Sequence, residues 1–182
     1  NHKTVQRLMG VLGLKSLVRP KKYRSFKGEV GQVAPNELQR EFKAEAANQK
    51  WVTDVTEFSV AGEKLYLSPV LDLYNGEIVA FEMNQRPVFE LVSSMLKKAL
   101  AKLAPEDNPM LHSDQGWQYR MPAYQRQLRE RQLVQSMSRK GNCHDNAAME
   151  SFFGVLKPEF FYLNKFDSVD TLRAGLAEYI HY

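Results

Sequence analysis

Three strand-like runs follow one another between Trp51 and Met83, and the short turns between them leave this chain few ways to fold. Trp51-Val-Thr-Asp-Val-Thr-Glu-Phe-Ser-Val60 alternates apolar and polar residues and is rich in β-branched and aromatic types, the pattern of a half-buried strand. Ala61-Gly62-Glu63 reads as a turn, and Lys64 to Tyr74 as a second strand. Asn75-Gly76 then gives the strongest short hairpin signal, and Glu77 to Met83 a third strand. Three consecutive strands joined this way form an antiparallel meander. The period then changes. Leu91, Val92, Met95, Leu96, Leu100 and Leu103 recur at helical spacing within Val88 to Leu103, with Pro105 just beyond. A short strand at Met110–Ser113, a helix around Pro122–Arg131, a strand at Leu133–Met137 and helices at about 145–157 and from Ser168 complete the order βββαβαβαα. Strands first, then alternating helices and strands, predict an α/β fold, a mixed five-stranded sheet covered by helices.

Upstream of this body the chain changes character. Val5, Leu8, Met9 and Leu12 mark an amphipathic helix over 2–12 that Gly13 can end, a stripe that needs a partner surface. Residues 1–17 are therefore expected to be the tail of a larger helical domain. Residues 18–47 read as a linker, first basic and then polar. The body is expected from 48 to 182. The first 30 residues hold eight basic residues and one acid within a chain of net charge +4. A basic arm ahead of a mildly acidic body suits a protein that grips a polyanion and coordinates cations elsewhere. No run of about 18 apolar residues suggests a membrane span, and the first residues lack the apolar core of a signal peptide. The single cysteine, Cys143, excludes an internal disulfide framework and fits a reducing compartment, so a cytoplasmic location is expected.

Within that frame three acids stand out. Asp54 lies in the first strand, Asp114 ends the short fourth strand, and Glu150 sits on the helix after the fifth. A carboxylate at the C-terminal edge of a strand is placed where sheets with helical crossovers commonly build their sites. On the last of these elements Met149, Phe152, Phe153 and Leu156 share one face, with Asn146, Glu150 and Lys157 along its margin, within roughly 40° of one another. Asp145 is placed to cap it. Three carboxylates without a Cys or His cluster describe a site for a hard cation, Mg²⁺ or Mn²⁺, with coordination positions left for a substrate phosphate. Two such ions roughly 3.5–4 Å apart can support in-line attack on a phosphodiester.

These residues also carry a resemblance. Trp51-Val-Thr-Asp54-Val-Thr, His112-Ser-Asp114-Gln-Gly-Trp-Gln-Tyr119 and the run from Ser136 through Gly141-Asn-Cys-His-Asp-Asn-Ala-Ala-Met-Glu150-Ser-Phe-Phe-Gly-Val-Leu-Lys157 closely resemble the transposases of insertion-sequence family three. Asp114 and Glu150 are separated by 35 residues, the spacing that marks that family's acidic triad. The resemblance covers about Asn48 to Lys165, and residues 1–14 look like the last helix of the family's helix-turn-helix region. It implies a ribonuclease-H-like fold in which Asp54 bridges two Mg²⁺ ions and Asp114 and Glu150 each hold one. It implies cleavage at element ends and direct strand transfer, by a homo-oligomer assembled on DNA in a bacterial, nucleoid-associated setting. Family members continue past Tyr179-Ile-His-Tyr182 with a further polar segment, so a C-terminally truncated core is expected. The competing expectation is a DNA-binding remnant without catalysis, which metal-dependent nicking would separate.

Further candidates carry two readings each. Lys157 is placed to contact a phosphate near whatever Glu150 ligates. Gln115 and Asn146 either bond to DNA or orient a ligand, or fill turn and capping roles. Trp117 and Tyr119 either stack on an unpaired base or sit at the edge of the core. Lys21, Lys22 and Arg24 are expected to meet phosphates without sequence readout, or to belong to a plain linker. His112 and His144 lack a second Cys or His pair at zinc-ligand spacing.

Overall fold

The computed structural model describes residues 2–14 and 31–181. Lys21, Lys22 and Arg24, expected to contact DNA, lie outside the described residues. Helix α1 (His2–Val11) forms as the stripe predicts, and none of its residues is buried. Its end is closed by Gly13 at φ +67° and by the Leu14 N–H donating to the Met9 carbonyl at 2.8 Å.

The meander is present, with one change that matters for the site. The predicted first strand is two segments, β1 (Lys50–Thr53) and β2 (Thr56–Val60). Both pair antiparallel with β3 (Glu63–Asp72), Thr53 facing Val70 and Thr56 facing Leu67. The break falls at Asp54–Val55, where the Asp54 carboxylate accepts the Val55 N–H at 2.7 Å and withdraws that amide from the ladder. Six segments therefore stand where five strands were expected. Strand β4 (Ile78–Asn84) pairs with the other edge of β3. The connection between them is longer than the two-residue turn that Asn75-Gly76 predicts. Strand β3 ends at Asp72, whose carbonyl accepts the Gly76 N–H at 2.9 Å, Gly76 lying at φ +75°. The Asp72 carboxylate, buried and accepting the Asn48 and Tyr74 N–H groups at 2.8 and 2.9 Å, holds the chain in the wider loop.

Strands β5 (Met110–Ser113) and β6 (Val134–Met137) add in parallel, β5 beside β1 and β6 beside β5. Adjacent strand residues point to opposite faces, so Trp51 and Val52 feed two different cores. Trp51 packs with Val92, Met95 and Leu96 of α2 (Phe89–Leu100) and with residues of α3 (Trp117–Arg120) and α4 (Pro122–Glu130). Val52 packs with Met149, Phe153 and Leu156 of α5 (Ala147–Leu156) and with Leu172 and Leu176 of α6 (Val169–His181). Helix α5 is entered by a 3₁₀ turn at Cys143–Asn146 and left by a π turn at Lys157–Phe161. The predicted cap is different in fact: Asp145 sits within the 3₁₀ turn, and Asn146 precedes α5 without a side-chain capping bond.

From Gly31 on, the stretch read as linker lies against the body. The Arg120 guanidinium donates to the Gly31 carbonyl at 2.9 Å, the Met137 N–H to the Pro35 carbonyl at 3.1 Å, and the Ser136 hydroxyl accepts the Glu37 and Leu38 N–H groups at 2.9 and 3.0 Å. Leu38, 1% exposed, anchors this strap in the core. Among the described residues no helix is long and apolar enough to cross a membrane.

Candidate active site

Parallel pairing of β1 with β5 sets Lys50 to Val52 beside Met110 to His112. Two residues beyond each pairing, Asp54 and Asp114 leave the same edge of the sheet. Both line one cleft of about 240 Å³ with Val55, Glu57, Tyr66, Gly116 and Tyr119 among its walls. Asp114 bends back over the start of α3, its Oδ1 accepting the Gly116 N–H at 2.8 Å. A side chain at position 116 would displace that carboxylate, because a Cβ would stand 2.8 Å from the same oxygen. Burial raises the Asp114 carboxyl pKa, and the Gly116 N–H opposes the shift. Such a carboxylate gains from any cation brought beside it.

Glu57 and Tyr66 were not singled out in the sequence, although as cross-strand partners in the β2–β3 register they follow from the hairpin. The Tyr66 hydroxyl donates to Glu57 at 2.8 Å and the Lys64 ammonium at 3.1 Å. Tyr119 resolves between its two readings as a core residue, 1% exposed and packed edge-on to Tyr124 at 5.5 Å between ring centroids. Burial, then the charges of Asp54 and Asp114, push its phenol pKa well above the ordinary value.

The third acid stands apart. Glu150 is exposed on α5 and is not among the residues lining the cleft. Among the described residues no three of His, Cys, Asp and Glu come close enough to hold a metal ion together. Its helix is nevertheless tied to the cleft. The Asn146 side-chain amide donates to the Thr53 carbonyl at 3.2 Å, one residue before Asp54, and Glu150 lies one helical turn further on. Asn146 is buried, with its Oδ1 unpartnered. Gln115 donates its amide to the Ser138 carbonyl at 3.0 Å. Lys157 begins the π turn, its ammonium 5.3 Å from the Phe58 ring centroid. His112 is buried between the Ser136 and Ser138 hydroxyls, and His144 is exposed.

The chain matches the integrase core domain over residues 44–143, more than half its length. A second integrase core domain description matches residues 150–182. The chain belongs to the integrase core family. It is 59% identical over its whole length to a protein provisionally named transposase InsK of insertion sequence element IS150, from Escherichia coli K12, of which it spans 64%. It is 54% identical, again over its whole length, to a transposase-like protein of Haemophilus influenzae, of which it spans 84%. The transposase InsF of insertion sequence IS3A from Escherichia coli K12 is 36% identical over 86% of the chain and 54% of its own length. These relatives bear out the resemblance to insertion-sequence family three. The fold agrees with solved integrase cores. In an intasome of simian T-cell lymphotropic virus one chain superposes with a TM-score of 0.62 at 19% identity, over 82% of this integrase-core chain and 53% of that one. The HTLV-2 integrase catalytic core, solved in complex with magnesium, gives 0.51 at 17% identity over 63% and 70%. The ribonuclease-H-like architecture expected from the sequence is thereby borne out.

Proposed function

We propose that this chain is the catalytic core of a DNA transposase, a polynucleotidyl transferase that cuts at the ends of an insertion element and joins those ends to new DNA. The observation that carries the proposal is the convergence of Asp54 and Asp114 in one cleft at the broken edge of β1, in a family whose named relatives are transposases. Asp54, Asp114 and Glu150 are the proposed catalytic acids. In the first step a water oxygen attacks phosphorus and the bond to the 3′-oxygen breaks, leaving a 3′-hydroxyl and a 5′-phosphate. In the second, that 3′-oxygen attacks another phosphodiester, whose own 3′-oxygen departs.

The donor set fits a hard divalent cation, since the groups meeting in the cleft offer carboxylate oxygens and no sulfur or imidazole. Asp54 and Asp114, with Glu150, would hold Mg²⁺ or Mn²⁺, two ions at full loading, which would supply acidity to the attacking oxygen and charge for the leaving one. The magnesium in the HTLV-2 integrase core supports that choice. Around the cleft, Gly116 holds the Asp114 carboxylate in place, and Lys157 is the proposed contact to a DNA phosphate. Asn146 and Gln115, whose amides donate to backbone carbonyls, are proposed to bond to DNA or to orient the elements that carry the acids. Lys21, Lys22 and Arg24 are proposed to add sequence-independent phosphate contacts. DNA is the proposed partner, bound by a homo-oligomer of this chain.

Calorimetry with MgCl₂ and MnCl₂, followed by nicking of an end-labelled duplex, tests the reading. The parent is expected to bind metal and nick DNA only with it, and the Asp54→Asn/Asp114→Asn variant to do neither. Equal metal binding by both proteins would move the site elsewhere. Metal and DNA binding without any nicking would favour a non-catalytic DNA-binding role.

A further inference from the structure

One polar group in the cleft, outside the proposed acidic triad, is buried without a hydrogen-bond partner among the described residues. Tyr119 lines the cleft with Asp54 and Asp114, yet it is 1% exposed and its hydroxyl finds no hydrogen-bond partner among the described residues. The neighbouring Thr53 hydroxyl gives its proton to the Pro69 carbonyl at 2.7 Å; it is near enough to act on the phenol but forms no hydrogen bond with it. A buried hydroxyl without a partner lowers stability and is rare in folded proteins, so its position calls for a reason. The ring has little freedom to move and find one. Its backbone N–H donates to the Gly116 carbonyl at 3.1 Å, its carbonyl accepts the Gln135 amide at 2.8 Å, and its ring packs edge-on to Tyr124. The carboxylates are held through Oδ1, Asp54 by the Val55 N–H and Asp114 by the Gly116 N–H, and can turn about those bonds when a cation is bound. Both aspartates are near enough for their charge to act on the phenol, and a phenol is a donor at neutral pH.

We propose that the Tyr119 hydroxyl is a positioning group of the metal site: with a divalent cation bound, it donates to a carboxylate oxygen of Asp54 or Asp114 that the cation does not use, and so fixes that carboxylate's orientation. Groups that hold a metal ligand from behind commonly carry about tenfold or more in metal affinity. The inference rests on the metal site proposed above. Tyr124 supplies an internal control, because its hydroxyl is also buried and unpartnered while it does not line the cleft.

Mn²⁺ and Mg²⁺ titrations by calorimetry, with thermal midpoints in chelator and in metal, are run on the parent, Tyr119→Phe, Tyr124→Phe and Asp54→Asn. Tyr119→Phe is expected to keep or raise the metal-free midpoint, since an orphaned hydroxyl is removed, while its metal affinity drops about tenfold or more. Tyr124→Phe is expected to keep the parent's affinity. Parent-like affinity in Tyr119→Phe overturns the proposal, as does an equal loss in both phenylalanine variants or a fall in the metal-free midpoint that accompanies the lost affinity. Binding abolished in Asp54→Asn but intact in Tyr119→Phe overturns this inference alone. A parent that binds no metal, or binding that survives Asp54→Asn, overturns the metal site and this inference with it.

Discussion

His112 shows how neighbours fix the protonation of one buried side chain. The Ser136 hydroxyl oxygen already accepts the Glu37 and Leu38 N–H groups, so its single proton is left for His112 Nδ1 at 2.8 Å. Nε2 then carries the ring proton and donates to the Ser138 hydroxyl at 3.0 Å. A second ring proton would face an oxygen with nothing left to give. Burial accordingly lowers the His112 pKa from 6.5 to about 4. Between those values the unfolded chain holds a proton that the folded chain refuses, so the His112 contribution to stability is full above pH 6.5 and falls as pH drops toward 4. The whole window is worth about 3 kcal/mol. The raised Asp114 carboxyl opposes this fall, because it takes up its proton more readily when folded. Urea midpoints measured in chelator from pH 7.5 to 4 check this. A His112→Gln variant is expected to be less stable at pH 7 and to show a flatter slope, whereas an unchanged slope would assign the titration to another group. The Asp145 carboxyl, held well below its ordinary value first by its hydrogen bond from Arg139, loses its contribution only below pH 3.8, outside this window.

At the scale of elements, the placement of α5 depends on two consecutive residues at its entrance. Asn146 ties it to β1. Asp145, its side chain fully buried, accepts Arg139 at 2.8 Å and 2.9 Å, Arg40 at 2.8 Å and Asn36 at 3.0 Å. One carboxylate thus joins the strap, the loop after β6 and the start of α5. Both guanidinium groups are about half exposed, so solvent weakens each pair, but the buried acceptor cannot rehydrate in place. Asp145→Asn is expected to cost roughly 2 kcal/mol by chemical denaturation, and to speed tryptic cleavage after Arg40 at native conditions. Unchanged cleavage with lost stability would mean that the strap is held by Leu38 and Ser136 instead. Little of this was legible beforehand. The faces of α5 were, because Met149, Phe153 and Leu156 repeat at helical spacing and are buried as expected. The break at Asp54 was not, because β-branched alternation runs straight through it and only a side chain turned onto its own backbone stops the ladder. The strap was not either, since a polar stretch bonded to residues about 100 positions away has no periodicity to read. The wide loop at Asn75-Gly76 escaped because the buried Asp72 carboxylate, not the dipeptide, sets its length.

Across the whole molecule, the three acids divide by how they are held. Asp54 and Asp114 belong to the sheet and already share a cleft, whereas Glu150 belongs to a helix anchored one turn short of it. The sequence singled out the proposed triad through spacing and flanking residues, but spacing along a chain carries no information on whether a helix side chain faces in or out. Within the proposed function, this division predicts unequal variants. Metal binding without DNA should depend on the pair that is preassembled, and strand cleavage on all three. Asp54→Asn and Asp114→Asn are therefore expected to lose metal binding in the absence of DNA. Glu150→Gln is expected to bind the first Mn²⁺ within about threefold of the parent, roughly 0.7 kcal/mol, and yet to cut DNA at least about a hundredfold more slowly. That factor is nearly 3 kcal/mol of barrier, the size expected when a charge that stabilises a reacting phosphate is removed. Calorimetry on the three variants and single-turnover cleavage of a labelled duplex give both quantities. If Glu150→Gln abolishes metal binding in the absence of DNA, the helix must close onto the cleft with metal alone. If it cuts at the parent's rate, Glu150 has no place in the site, and Glu57, the third carboxylate that lines the cleft, becomes the residue to vary next.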